Sequence, residues 1–457
     1  MKFDTLIKNG FVVFPGTGIA KCDIGIKEGK IAGFFENGDS LEANTVIDAS
    51  GLFVMPGAVD VHTHVGFTGE IAEDFRQESI SGALGGVTSF IPYILQKDKY
   101  SNNHAQLVEM GASNSIIDFA MHYTIVSEEQ INEIDLYVKE FGITSFKILM
   151  TSKGQESQRL GLAPVDDGVL FRYFSKVSES GGIPCIHCEN IEVIWALQRE
   201  VEKRGLDGLA AWLESRPGFT EAEAIFRAVY LAEQAGCESI YIVHLSSKEG
   251  LQMKTRLQLM GLKIRIITET CPHYLLLDIH TEAGDLAKVN PPIRLKEDNE
   301  ALWKAVMNDQ IEVIGSDHVT RPKSSKEGGI WKASPGFPGM GTLLPLLLDE
   351  GYHKRNLPLE KISELVSSNP AKIFNMYPKK GAMVVGADAD FAIVDLDLEK
   401  EITYTDIRSS SDYSVYEGRK VKGWPVKTLV RGKVVMENGN ILSEPGYGEF
   451  IFRHPGR

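Results

Sequence analysis

Asp60-Val61-His62-Thr63-His64 closes a β-branched run that begins at Phe53. Residues i and i+2 of a strand face the same side. His62 and His64 can therefore turn their rings toward one point, as two nitrogen ligands for a divalent ion such as Zn²⁺. Taken alone, the pair is equally two polar residues at a strand end. Similar runs carry more donors. His187 ends Ile183-Pro184-Cys185-Ile186-His187, His244 ends Tyr241-Ile242-Val243-His244, and Asp317 follows Val313-Ile314-Gly315-Ser316. Lys147 lies inside Ser145-Phe146-Lys147-Ile148-Leu149-Met150. A lysine on an apolar strand usually carries its ammonium outward to water. Buried near cations, its pKa falls and its neutral amine becomes a nucleophile. Such an amine can take up CO₂ as a carbamate, whose two oxygens can bridge two metals.

These residues can meet only if the strands that end in them share one rim. Eight short runs recur between helical stretches: Phe53–His62, Val87–Ile94, Ile116–Val126, Ser145–Met150, Ile183–His187, Ser239–His244, Lys263–Thr268 and Glu312–Gly315. Helix periodicity marks Phe171–Ser180, Glu221–Gln234 and Asp298–Met307. The alternation predicts an α/β fold, a (β/α)₈ barrel, in which strand C-terminal ends converge on one mouth. A doubly wound sheet is the alternative, but no G-x-G-x-x-G follows the first strand. Both ends of the chain read instead as short strands with turns at Asn9-Gly10, Pro15-Gly16, Arg431-Gly432 and Asn438-Gly439. We expect residues 1–52 and 382–457 to form a small β-sandwich domain, and residues 53–381 the barrel.

Composition narrows the class. The 457 residues are 43% hydrophobic and 24% charged, the balance of a globular enzyme. Lys and Arg number 48 against 62 Asp and Glu, a formal charge of −14 that disfavours nucleic acid and anionic lipid. No signal peptide or membrane span is read from the sequence, and five cysteines without a signal read as reduced thiols in the cytoplasm. Cys185 and Cys188 form a lone C-x-x-C at a strand end, which reads as packing. Gly336-Phe337-Pro338-Gly339-Met340-Gly341 reads as a loop over the mouth.

With these residues the chain resembles the amidohydrolase superfamily, whose pattern is His-x-His after strand 1, Lys after strand 4, His after strands 5 and 6, and Asp after strand 8. His62, His64, Lys147, His187, His244 and Asp317 fill it. The resemblance spans nearly the whole chain and is closest to the cyclic-amide branch: dihydropyrimidinases (hydantoinases), with allantoinases and dihydroorotases related. It is carried by His187-Cys188-Glu189-Asn190, Ser215-Arg216-Pro217, Val243-His244-Leu245-Ser246-Ser247, Glu269-Thr270-Cys271-Pro272-His273-Tyr274 and Asn290-Pro291-Pro292-Ile293-Arg294. It implies two divalent metal ions, Zn²⁺ above all, and an N6-carboxylated Lys147. His62, His64 and Asp317 would hold one ion and His187 and His244 the other. It also implies Asp317 as general base and acid, and a homotetramer.

Departures bear on the ring. Dihydroorotases place an Arg two residues after the second His, where this chain has Gly66, and an Asn after Pro in strand 2, where it has Tyr93. Hydantoinases carry a Tyr five residues after the lysine, where Ser152 stands. Asn290 replaces a Ser before Pro-Pro, and Pro335 stands in an altered loop. The expected substrate is a hydantoin- or dihydropyrimidine-type cyclic amide, touched by Ser152, Asn290, Pro335 and Tyr93, with the Tyr93 phenol standing in for the missing one. Allantoin is the alternative ring, dihydroorotate a weaker one, and a metal-free scaffold is the non-enzymatic alternative. Phe450, Ile451 and Phe452 in the C-terminal tail are expected to dock on a neighbouring subunit.

Overall fold

The fold was taken from a computed structural model, which describes residues 2–456 apart from 37, 39, 68, 155, 156 and 158–161. The chain divides into two compact units. One holds Met1–Ile91, Val108–Ala120 and Pro338–Ile451; the other holds Pro92–Leu107, Met121–Phe337 and Phe452–Arg457.

The first unit contains two sheets. Lys30–Phe35, Asp23–Lys27, Lys2–Lys8 and Glu42–Asp48 form a four-stranded sheet in that order. A seven-stranded sheet runs from Asn440–Ile441 through Lys433–Glu437, Lys420–Val430, Phe391–Glu401, Phe53–Pro56 and Phe11–Phe14 to Gly18–Lys21. Strands from both ends of the chain therefore share one sheet. Alternation explains the burial: Ile24 and Ile26 turn inward from Asp23–Lys27 to meet Ile7, Val12, Val54, Phe391 and Leu429. Gly25 is needed between them, because a Cβ there would lie 2.7 Å from the Phe3 ring. Arg431-Gly432 and Asn438-Gly439 both have positive φ at each residue, the backbone that tight hairpins demand.

Ala58–His64 and residues 87–91 also lie in the first unit, with Asp118–Phe119 parallel to the latter. Beneath them is a buried charge cluster. Lys380, with no exposed side-chain surface, bonds Asp390 at 2.7 Å, Asp388 at 3.0 Å and Asp118. Arg431 pairs with Asp118, and Lys30 with Asp388 at 2.8 Å. The tail follows Asp118–Phe119: Phe119 N–H donates to Glu449 O, and Ile451 N–H to Phe119 O. Ile451 is buried, and the Phe450 ring lies 5.7 Å from that of Phe119. The tail thus makes intrachain contacts at Phe450 and Ile451. Phe450 and Ile451 dock on their own chain, because Asp118–Phe119 offers a free strand edge and an aromatic neighbour.

The second unit is a parallel sheet. Its order is Val313–Ile314, Arg265–Thr270, Ser239–Ile242, Ile183–His187, Ser145–Leu149, His122–Thr124 and the end of Val87–Leu95. Helices Asp167–Ser180, Ile191–Lys203, Gly218–Gln234, Lys248–Leu259 and Lys296–Met307 fall between the strands in sequence. Near-continuous burial along Ser145–Leu149 and Ile183–His187 is what a parallel strand covered on both faces requires.

Candidate active site

In the first unit, one strand end carries two of the expected donors. His62 is fully buried and His64 half-buried on Ala58–His64, with ring centroids 5.4 Å apart. The i, i+2 spacing has thus put both imidazoles on one side. Gly66, where dihydroorotases carry an arginine, has φ +73°, and a Cβ there would meet Ile71 Cγ1 at 2.6 Å. Backbone and packing together put any side chain at this position under strain.

The second unit holds Lys147, His187, His244 and Asp317. The register Lys147↔Cys185 and Leu149↔His187 sets the lysine and the histidine on adjacent strands. His187 Nδ1 faces His244 Nε2 at 2.8 Å, with the rings at 80°. The other nitrogen of His187 lies 2.9 Å from the buried Glu189 carboxylate, which also accepts from Arg216 at 2.9 Å. Burial alone would raise the Glu189 carboxyl, but the Arg216 charge and the His187 bond outweigh it and hold it at about 2. An anionic Glu189 draws the ring proton to His187 Nε2 and leaves the Nδ1 lone pair directed at His244. Glu269, fully buried, accepts from the His244 backbone N–H at 2.9 Å and from the Tyr241 hydroxyl at 2.7 Å. Two imidazole nitrogens converging on one point, one backed by a carboxylate, form the donor set of a divalent transition ion. The residues fit the metal.

His244 and Asp317 both sit in left-handed backbone, φ 41° and 49°. Non-glycine residues hold such conformations at a cost of about 1–3 kcal/mol and cluster at functional sites. Asp317 lies in the short connection between Val313–Ile314 and His318–Val319. Lys147 is buried; burial lowers its amine below the ordinary value, while Asp317 and Glu269 act the other way.

The expected substrate contacts divide. Asn290 precedes Pro291-Pro292, and its side-chain oxygen is buried without a hydrogen bond among the described residues. Ser152 is buried after the lysine strand, its backbone bonded to Leu149 and Val165. Pro335 gives its carbonyl to Arg321 Nε at 3.3 Å. Tyr93 stands beside Lys147. It is fully buried and stacked on His122 with centroids 4.3 Å apart. Lys147 Nζ lies 4.2 Å from its ring centroid.

The two cysteines pack as expected. Burial pushes the Cys185 thiol up to about 12 and raises the Cys188 thiol well above its ordinary value, so both stay protonated and inert. Arg294 is fully buried against Ser246 Oγ at 3.0 Å and the Arg216 carbonyl. Sequence reasoning gave no role to Glu189, Glu269, Arg216 or Arg453. For Glu189 the available signal was a carboxylate two residues past a strand-end histidine.

Glu189→Gln is expected to weaken metal binding by about 10–100-fold, since the neutral amide no longer sets the His187 tautomer. Its carboxyl is depressed by folding. Its contribution is therefore fully present above the ordinary value of 4.5 and is lost as pH falls from there toward about 2. Urea midpoints of metal-free protein should fall across that window, and less steeply in Glu189→Gln. Equal slopes would remove Glu189 from the account.

Comparison with known proteins agrees with this geometry. Residues 186–435 match the amidohydrolase family. The chain is 36% identical to an L-hydantoinase of Paenarthrobacter aurescens, over 99% of this chain and 98% of that one. It is 33% identical to an allantoinase of Escherichia coli O1:K1 / APEC, over 99% and 100%. The solved L-hydantoinase (dihydropyrimidinase) of Arthrobacter aurescens superposes with a TM-score of 0.91 at 34% identity, covering 98% of this chain and 99% of that one. The fold class is as expected, α/β with the (β/α)₈ barrel of these relatives and a β-rich part drawn from both ends. With a family match over residues 186–435 and relatives of 33% and 36% identity along nearly their whole length, the protein belongs to the amidohydrolase family.

Proposed function

We propose that this protein opens a hydantoin- or dihydropyrimidine-type ring to an N-carbamoyl amino acid, at a centre of two Zn²⁺ ions. It is a metal-dependent hydrolase of cyclic amides. The observation that carries the reading is the His187–His244 nitrogen pair backed by Glu189. The family pattern assigns His62, His64 and Asp317 to one ion and His187 and His244 to the other. Lys147 is assigned between them as a carbamate. Its neutral amine attacks CO₂, an N–C bond forms, one C=O electron pair moves to oxygen, and an N–H proton leaves to solvent. When bound, a divalent ion polarises the ring carbonyl and lowers the pKa of water from about 15.7 to about 7.

The chain's own residues do the rest. Asp317 takes a proton from the attacking water and returns it to the ring nitrogen as the C–N bond breaks. The buried, unmatched Asn290 oxygen accepts a ring N–H and so orients the substrate. Ser152, in place of a tyrosine, leaves oxyanion contact to a short hydroxyl or a bridging water. Pro335 shapes the loop that Arg321 holds. The same reading takes residues 1–52 with 382–457 as a β-sandwich domain, 53–381 as the catalytic barrel, and the assembly as a cytoplasmic homotetramer. Among the described residues, no helix is long and apolar enough to cross a membrane.

The test is ring opening by zinc-loaded protein with bicarbonate, offered hydantoin, a 5-aryl hydantoin, dihydrouracil, allantoin and dihydroorotate. Turnover of a hydantoin or of dihydrouracil, lost on chelation, is the expected result. Allantoin is the second reading, favoured by the allantoinase relative and by Ser152. Turnover of allantoin alone would put it first, and no turnover with zinc bound would overturn both.

A further inference from the structure

Arg453 is a charged residue in the C-terminal tail with no exposed surface. Its guanidinium donates to Ser145 Oγ at 2.9 Å and to the Met121 carbonyl. No carboxylate among the described residues pairs with it. A buried cation without a counter-charge is costly, so packing alone is a poor reason for an arginine here. Its contacts lead in one direction. Ser145 Oγ is hydrogen-bonded to His122 Nδ1. The His122 ring is stacked on Tyr93. The Tyr93 ring carries Lys147 Nζ, two residues along the strand from Ser145. Each link is a direct contact within one compact unit.

We infer that Arg453, acting through Ser145, His122 and Tyr93, positions Lys147 for carbamate formation and makes the C-terminal tail part of the metal centre. This rests on the function proposed above. Lysine has four side-chain torsions and loses about 2 kcal/mol of rotamer entropy when held. A flat aromatic floor limits where Nζ can go. Tyr93 is that floor, His122 keeps it flat, and Ser145 and Arg453 keep His122 from turning. Arg453 is a positioning residue: it touches neither substrate nor Lys147 in the contacts described.

The test uses full-length Arg453→Gln, Arg453→Lys, Ser145→Ala, Tyr93→Leu and Tyr93→Phe. Zinc affinity is titrated, and the carbamate carbon is read by NMR after ¹³C-bicarbonate loading, with circular dichroism as the folding control. Folded Arg453→Gln and Tyr93→Leu are expected to bind zinc about 10-fold or more weakly and to lose carbamate signal. Arg453→Lys, which keeps a donor for Ser145, and Tyr93→Phe, which keeps the ring, are expected to retain both. Folded Arg453→Gln with wild-type zinc affinity and full signal would overturn the inference. If Arg453→Gln does not fold, Ser145→Ala decides: loss of signal supports the inference and full signal overturns it. Wild-type protein lacking zinc and carbamate would overturn the functional reading and this inference with it. Wild-type signal retained by the folded variants overturns only the inference.

Discussion

Asp317→Asn is expected to lower kcat for ring opening by about 10²–10⁴-fold, the range for loss of a positioned proton carrier. Asparagine is the informative replacement. Residue 317 sits at φ 49°, a conformation that Asp and Asn both tolerate and that alanine adopts at a cost. The amide keeps the size and one donor oxygen but cannot take a proton at neutral pH. An equal fall in kcat and kcat/KM, with KM little changed, would mark an interaction made only in the transition state. Zinc content measured on the same samples separates proton transfer from metal loss. Wild-type kcat in a zinc-loaded Asp317→Asn would remove Asp317 from proton transfer.

The largest effect on stability is expected at Lys380, far from Asp317 in sequence. Lys380 stands among Asp118, Asp388 and Asp390, all buried, and the cluster balances three carboxylates against Lys380, Arg431 and Lys30. Lys380→Met leaves buried negative charge without its central partner, a loss of about 3–5 kcal/mol. Urea unfolding followed by circular dichroism should show it as a lower midpoint. Adding Asp390→Asn removes one orphaned charge and should restore part of the loss, because coupled neighbours do not add. Equal midpoints for wild type and Lys380→Met would show that the cluster contributes no net stability. The cluster also bears on the site's strand. Gly57 N–H donates to the Asp390 carbonyl at 2.9 Å, and Pro56 pairs with Phe391, just ahead of Ala58–His64.

Much of this was legible in local sequence. Strand ends at His64 and His187, the recurrent β-branched runs, and the Arg431-Gly432 and Asn438-Gly439 hairpins follow from period-2 alternation and turn chemistry, which depend only on neighbours a few residues away. Boundaries were less legible. Ile116–Val126 is two short strands, Asp118–Phe119 and His122–Thr124, since pairing with adjacent strands, not β-propensity, decides where a strand exists. Gly18–Lys21 is mostly exposed and Glu42–Asp48 is rich in polar residues, so neither shows a buried-face alternation.

What the sequence by itself determined is the donor inventory. His62, His64, Lys147, His187, His244 and Asp317 have the right chemistry on or just after short strand-like runs, and period and residue type are local properties. Only the tertiary structure decided how those donors are held. Glu189 fixes the His187 proton because Arg216, far along the chain, keeps it ionised. Tyr93 lies under Lys147 because its strand turns residue 93 into the packed interior. The tail folds back on its own chain, and Arg453 reaches Ser145 across 308 positions of sequence. Such contacts depend on which distant segments the fold brings into register, and no local period encodes that.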